Sequence, residues 1–492
     1  MASFIKKIKG GLRKRIRLFF HPYDQLFSDN TTRCHFIGIG GIGMSGLAHI
    51  MKERGFSITG SDILESSITK KLVKDGVKIA IGHKRVNLAD YTDAVVVSSA
   101  IPKNNPEIEK ALELGIPIVK RSYVLGQLMK KQRGIAISGT HGKTTTTTMI
   151  TLLLQAAKMD PAALIGGEVK NIGGNFLAGK GQYFIAEACE YDRSFLDFYP
   201  EVAVITNIEE DHLDYYRDLA EIKKAFKKFV AKIPKKGLLI FSMDDRNAYE
   251  VAQAARCHVI GYGFSSKNRM EGLKIDSYWE VEEVAQEKGK TRFSVSNGKK
   301  MGEFILHIPG KHNVSNACAS IIVADYLGID PEIMKKTLAD FSGTKRRFEI
   351  LGEKGGVVII DDYAHHPTEI KATLEGVKKF YKEKKIVAVF EPHQYSRTRL
   401  LLKEFGACFD NADLVIIPGI YAVRDSKIDI KSVTPKDLVS EIEKNGTNAI
   451  YIEGYEKTIQ YLQKNLGKDT ILLTLGAGNV YKIGEGYMGL HF

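Results

Sequence analysis

Cysteine is scarce in this chain, with 5 among 492 residues. Cys34, Cys189, Cys257, Cys318 and Cys408 are scattered, odd in number and without a C-x-x-C pair. That excludes a disulfide framework and a structural zinc site, and suits a reducing cytoplasm. Long apolar runs are lacking too: none reaches the roughly 20 residues a helix needs to cross a bilayer. No repeat of solenoid period is present. The net charge is +13, yet the lysines are not interleaved with aromatics as a nucleic-acid stripe would be, so anionic small ligands are expected and a nucleic-acid partner is not. A chain that is 44% hydrophobic and 26% charged reads as soluble and globular. Its length implies about three domains at ~100–200 residues each. Acidic residues are absent from residues 1–20, where Lys6, Lys7, Lys9, Arg13, Lys14, Arg15 and Arg17 alternate with apolar side chains. Two readings stand there: a basic amphipathic helix touching an anionic membrane surface or a partner, and a poorly ordered tail. No long apolar core or small-residue cleavage site supports a signal peptide.

What is present is β/α alternation. Strands are expected over 35–39, 57–59, 78–81 and 94–97, with helices over 43–54, 69–75 and 106–114 between and after them. That order predicts a parallel sheet. Lys130-Lys131-Gln132-Arg133 reads as a linker. A second unit opens with a strand from Gly134 and a helix over 144–157, followed by strands over 183–186 and 202–206 that end in polar residues. Ligands bind at such carboxyl ends in open α/β sheets. Around Asn297-Gly298, alternating apolar residues predict a small β-hairpin insertion. After Arg347 a third β/α series follows, with strands over 357–360, 386–390, 414–417, 449–452 and 471–475.

Two glycine-rich turns carry phosphate chemistry. Gly38-Ile39-Gly40-Gly41-Ile42-Gly43 satisfies G-x-G-x-x-G between a strand and a helix, and Asp62 follows at the end of the next strand. It suits NAD, another pyrophosphate or a ribose, and helix–strand packing alone would also account for the glycines. Gly139-Thr140-His141-Gly142-Lys143-Thr144-Thr145 is a phosphate cradle that meets the P-loop pattern in part, since Ile137 stands where the first glycine would be. Its backbone N–H groups and Lys143 suit phosphate, and the Thr144 hydroxyl suits magnesium. Glu187 ends a strand within reach of such an ion, whose preference is for oxygen ligands. His212 also ends a strand, and reads there as a hydrogen-bonding group as readily as a ligand. His365 and His366 are adjacent on an extended segment, so they point apart and do not share one ion. One imidazole with Asp362 contacting substrate or nucleotide is the better functional reading. Arg346, Arg347, Arg397 and Arg399 supply forks for phosphate or carboxylate, or solvated surface.

Taken in order, these segments resemble the Mur ligase family from about residue 35 to 478. The carrying motifs are the glycine-rich segment running on through Met44-Ser45-Gly46, the cradle, Glu187-Ala188-Cys189-Glu190-Tyr191-Asp192, Asn207 with the seven residues after it, and Gly310-Lys311-His312-Asn313. Lys345-Arg346-Arg347-Phe348, Asp361 to Pro367 and Pro392-His393-Gln394-Tyr395-Ser396-Arg397-Thr398 complete them. The resemblance accounts for the cradle's spacing, because this family uses G-T-x-G-K-T-T. It implies an α/β three-domain architecture: a basic extension over 1–33, a Rossmann-like UDP-sugar domain over 34–133, a central P-loop-type ATPase domain with a mainly parallel sheet over 134–342, and a Rossmann-like amino-acid domain over 343–492. It implies ATP-dependent joining of L-alanine to the carboxylate of UDP-N-acetylmuramate through an acyl phosphate, in cytoplasmic peptidoglycan precursor synthesis, with Mg2+ as cofactor and Mn2+ able to replace it. By the same resemblance, Gly38, Gly40, Gly41, Gly43, Met44, Ser45, Asp62 and Ser98 bind the UDP-sugar. Residues 139–145 with His312, Asn313, Asn316, Arg347 and Asp362 bind ATP, and Thr144, Glu187 and His212 hold the metal. Tyr363, His365 and Arg397 receive the amino acid and the muramoyl carboxylate, and Lys143, Glu187, His212, Arg347 and His365 are the catalytic set. Gln394 departs from the arginine of many relatives, and some relatives carry a carbamylated lysine near the metal, for which Lys223 and Lys224 stand in range. A recycling ligase adding a preformed tripeptide is the nearest rival; residues 361–367 and 392–398 follow the alanine-adding pattern.

Overall fold

The computed structural model describes residues 24–27, 31–213, 215–264, 273–287, 289–423 and 425–490; the reading of residues 1–20 as an amphipathic helix lies outside them. Three sheets carry the chain. The first is all-parallel, in the order Lys78–Ile81, Ser57–Asp62, Arg33–Ile37, Ala94–Val97, Ile118–Lys120. Its strand order reverses beside Arg33–Ile37, and the glycine-rich turn leaves that strand at its carboxyl end. Such a switch point opens a crevice.

The second sheet has ten strands. Arg133–Ser138 lies near its middle, flanked in parallel by Pro200–Ile205 and Tyr183–Glu187. The expected hairpin is present as Lys290–Ser296 and Lys300–Leu306, but it is no separate insertion. Both strands extend the main sheet through Ser277–Glu287, which pairs in parallel with His258–Gly263 and antiparallel with Lys290–Ser296. That strand escapes a sequence reading because its register shifts between Glu282 and Ala285, with Glu283 at φ 55°, so the apolar alternation set by Trp279 and Val281 breaks halfway. Ala162–Val169 and the antiparallel Gly174–Ala178 complete the opposite edge.

The third sheet runs Glu349–Lys354, Val357–Asp362, Thr470–Leu475, Lys385–Phe390, Leu414–Ile417, Ala449–Tyr451, with only the first strand antiparallel. Its five parallel strands fall where the sequence puts them. Burial on both faces makes them near-continuous apolar runs.

The first two units share one core. Phe36 and Leu47 belong to the same buried cluster as Phe184, Phe226 and Phe241. Helix Ile42–Glu53 lies so close to the central sheet that a Cβ on Gly46 would stand 2.4 Å from Leu164 Cδ1. The crevice of the first sheet is thereby held against the cradle of the second. Among the described residues no helix is long and apolar enough to cross a membrane.

Candidate active site between three domains

The cradle is built by strand Arg133–Ser138, the glycine turn and helix Lys143–Ala156. Gly139 at φ 135° and Gly142 at φ 84° adopt left-handed geometry that a side chain resists, and a Cβ on Gly142 would meet Asn316 Oδ1 at 2.4 Å. Lys143 Nζ donates to the carbonyls of Gly139 and Thr140 and reaches both Glu190 oxygens at 3.2 Å. Burial disfavours its charge, but the Glu190 carboxylate more than restores it and its pKa is raised. A cation is thus fixed inside the turn.

Thr144 Oγ1 donates to Glu187 Oε2 at 3.2 Å, an all-oxygen pair beside the cradle that suits a hard divalent ion. His212 has carboxylate neighbours of its own. Among the described residues it clusters with Glu190 and Asp211, its Nε2 3.6 Å from Glu190 Oε1, while Tyr191 packs on its ring. Of the trio expected at the metal, Thr144 and Glu187 are thus bonded to each other, and His212 stands beside Glu190 and Asp211. Asp211 and Glu190, both inside the quoted motifs, are the carboxylates that sequence reasoning passed over. Lys223 pairs with Glu250 at 2.7 Å on the flank of helix Leu219–Val230, and Lys224 lines a surface cavity with Arg193 and Arg217.

The third unit closes over the cradle through helix Pro367–Phe380. Glu369 Oε1 lies 2.9 Å from His141 Nδ1, and Oε2 lies 3.2 Å from His365 Nδ1 while accepting the His365 N–H at 3.0 Å. His141 Nε2 faces Glu209 at 3.4 Å, and Thr368 Oγ1 donates to the same Glu209 at 2.8 Å. Burial works against a charged His141, but the two carboxylates win and push its pKa up to about 9. Burial likewise opposes ionisation of Glu369, yet His141 and His365 hold it well below the usual carboxylate range. Arg397 Nη2 donates to Asp211 at 2.8 Å, a further bond between the units. Burial resists the Asp211 charge, and His212, Arg397 and His365 outweigh it. Glu369 was absent from the sequence reading, although His366-Pro367-Thr368-Glu369 is a capping box with histidine as cap.

Between these parts lies a cavity of about 180 Å³, lined by His141, Gly142 and Thr145, by His312, Asn313 and Asn316, and by Arg347, Asp362 and Glu369. His141, Gly142, Thr145, His312, Asn313, Asn316, Arg347 and Asp362, among the residues expected at ATP, thus line one space. Burial brings His312 down to about 4, which keeps it neutral. Asp362 accepts the Phe348 and Ala364 N–H groups at 2.7 and 2.8 Å, and burial lifts its carboxyl to about 6 despite Arg347 nearby. Arg347 lies over the Tyr363 ring at 4.8 Å. A second cavity, about 260 Å³, brings His212 and Asp211 together with Gln394 and Arg397. Gln394 bonds the Val423 carbonyl at 3.2 Å, so it lends that cavity no charge.

At the first unit, Gly40 N–H donates to Asp62 Oδ2 at 2.8 Å, and Gly38 packs against Ser98. Met44 and Ser45, expected at this opening, lie in the first turn of helix Ile42–Glu53: the Met44 side chain is in the core, the Ser45 hydroxyl donates to Ile42 O, and both N–H groups donate to Gly41 O.

The geometry of a phosphate cradle enclosed by two flanking α/β units agrees with what comparison finds. Family models match in sequence: "Mur ligase family, catalytic domain" over 33–133, "Mur ligase middle domain" over 137–324 and "Mur ligase, glutamate ligase domain" over 346–478. The chain belongs to the Mur ligase family. Its relatives include the UDP-N-acetylmuramate–L-alanine ligase of Caldanaerobacter subterraneus subsp. tengcongensis, 46% identical over 93% of this chain and 97% of that one. The enzyme of the same name from Alkaliphilus metalliredigens is 48% identical over 92% and 96%. Among solved structures, the UDP-N-acetylmuramate–alanine ligase of Thermotoga maritima superposes with TM-score 0.76 at 29% identity, covering 93% of this chain and 98% of that one. A murein peptide ligase from Psychrobacter arcticus shares the fold at TM-score 0.67 and 23% identity, covering 93% and 98%.

Proposed function

We propose that this chain joins L-alanine to the lactyl carboxylate of UDP-N-acetylmuramate, with ATP going to ADP and phosphate, in peptidoglycan precursor synthesis in the cytoplasm. The observation that carries this reading is the meeting of the cradle with the third unit, His141 against Glu369 at 2.9 Å, which brings Arg347, Asp362 and Glu369 to the same cavity as His141, Gly142 and Thr145 of the cradle. A carboxylate oxygen of the sugar nucleotide attacks the γ-phosphorus, the bond to ADP breaks, and an acyl phosphate forms. The alanine amine then attacks that carbonyl, and phosphate leaves with the carboxylate oxygen.

Lys143 and Arg347 hold the charge that gathers on the transferred phosphoryl group, and His141 adds a third cation to the turn. Thr144 and Glu187 would hold Mg2+, which when bound neutralises phosphate charge. His365 Nδ1 lies 3.1 Å from the Tyr363 carbonyl, an acceptor only, so Nδ1 carries a proton there and, in the neutral ring, Nε2 is the nitrogen left as a base. That nitrogen suits removal of the proton released as the alanine nitrogen becomes an amide. Arg397, fixed on Asp211 beside the second cavity, supplies a fork for the alanine carboxylate.

The test is phosphate release by the purified protein with ATP and UDP-N-acetylmuramate, comparing L-alanine, glycine, L-serine and a preformed tripeptide. L-alanine is expected to give the highest kcat/KM, with glycine lower by the ~1–3 kcal/mol that one methyl confers. Turnover with the tripeptide alone would overturn the reading in favour of the recycling ligase.

A further inference from the structure

Arg121 opens helix Arg121–Met129, directly after the edge strand Ile118–Lys120, at the carboxyl end of the first sheet. Its guanidinium lies against the glycine-rich turn: a Cβ on Gly43 would stand 2.6 Å from Nη1. The last glycine of G-x-G-x-x-G is therefore the space this side chain occupies. On its other side lie the Cys189 thiol and the Glu187 carboxylate, where strand Tyr183–Glu187 of the central sheet ends. Arg121 thus stands in the seam where the two phosphate-type turns face each other.

It stands there without a partner. Arg33, Arg54, Arg133, Arg193 and Arg397 each bond a side chain, whereas Arg121 makes no hydrogen bond or ion pair with any described residue. The packed seam desolvates it, and burial draws its pKa below the ordinary arginine value. A guanidinium does not escape this by losing its proton. Half-buried, with its nitrogens unpartnered but still reached by solvent, the guanidinium has its bonding capacity free for an anion that enters the seam.

We propose that Arg121 is a substrate-binding residue whose guanidinium takes an anionic oxygen pair of the sugar nucleotide at this seam. Two groups of that ligand offer the chemistry: the pyrophosphate, which the turn beside Gly43 would cradle, and the muramoyl carboxylate, which must reach the cradle beside Glu187. The inference rests on the proposed substrate class, but not on ATP or alanine.

The experiment measures equilibrium binding of UDP, UDP-N-acetylglucosamine and UDP-N-acetylmuramate to the full chain, without ATP, for wild type, Arg121→Met and Arg121→Lys, with melting temperatures of the ligand-free proteins. Arg121→Met weakens binding about 10- to 100-fold, the scale of a charge-assisted contact. Its ligand-free melting temperature is unchanged or higher, because an unpaired charge has been removed, and Arg121→Lys recovers part of the affinity. Equal loss for all three nucleotides assigns the pyrophosphate, and loss for UDP-N-acetylmuramate alone assigns the carboxylate. Unchanged affinity for all three overturns the proposal, as does a loss that comes with a lower melting temperature and is not recovered by lysine. Wild-type protein that binds none of the three overturns both this proposal and the substrate reading beneath it.

Discussion

His141 shows how one position in the cradle answers to another domain. Its imidazole is held between Glu369 and Glu209, and its pKa in the folded chain, about 9, lies above the ordinary 6.5. A group whose pKa rises on folding contributes fully below its unfolded value and loses that contribution as pH climbs through the folded one. The stabilisation is thus complete below about pH 6.5 and gone above about pH 9, and the shift corresponds to on the order of 3 kcal/mol. His141→Asn is expected to lower stability by roughly that amount at pH 6 and by little at pH 10. Denaturant titration of both proteins at the two pH values checks it; an equal loss at both would mean that packing, not charge, is what His141 contributes.

At the scale of elements, helix Pro367–Phe380 is the piece that carries the site across the domain boundary. Its Glu369 serves as helix cap and as bridge between His141 and His365, and the two roles are separable. Glu369→Gln keeps an oxygen for the cap and loses the charge. It is expected to leave helix content unchanged and to slow phosphate release about tenfold. Combined with His141→Asn, the effects should fall short of additivity by 0.5–3 kcal/mol, as for residues in contact. Additive losses in that double-mutant cycle would reduce Glu369 to a cap.

Elements also mark what was legible in sequence. Buried parallel strands such as Leu414–Ile417 and the two glycine turns announce themselves, because continuous apolar runs and left-handed glycines leave few alternatives. Ser277–Glu287 did not, since a bulge breaks its alternation. Lys143, Thr144 and Glu187 were read from local spacing, and Thr144 and Glu187 stand bonded beside the lysine's turn, whereas the place of Arg347 followed from the family resemblance. Glu369 and Arg121 were missed because their meaning lies in contacts with residues 228 and 78 positions away, respectively His141 and Gly43. No local pattern encodes those.

At the scale of the whole molecule, the central and third units are joined around the site by His141 to Glu369, Thr368 to Glu209 and Arg397 to Asp211, at 2.9, 2.8 and 2.8 Å. Such closure around the cradle would keep water from the space in which an acyl phosphate forms. Away from the site the same units also meet, through Lys170 and Glu349 at 2.9 Å and through Gly376 against Pro309. Small-angle scattering of a Glu369→Gln/Arg397→Ala double variant is expected to give a larger radius of gyration than wild type, with ATP analogue and UDP-sugar restoring part of the compaction in the variant. Identical radii under all conditions would contradict a domain-closing role.

The central claim is that the cradle phosphorylates the sugar nucleotide's carboxylate before the amine arrives. The most direct measurement uses UDP-N-acetylmuramate labelled with oxygen-18 in its lactyl carboxylate, together with ATP and L-alanine, and follows the label by mass spectrometry. Transfer through an acyl phosphate puts one labelled oxygen in each phosphate released and leaves one in the new amide. Phosphate released without label while the amide forms would contradict it.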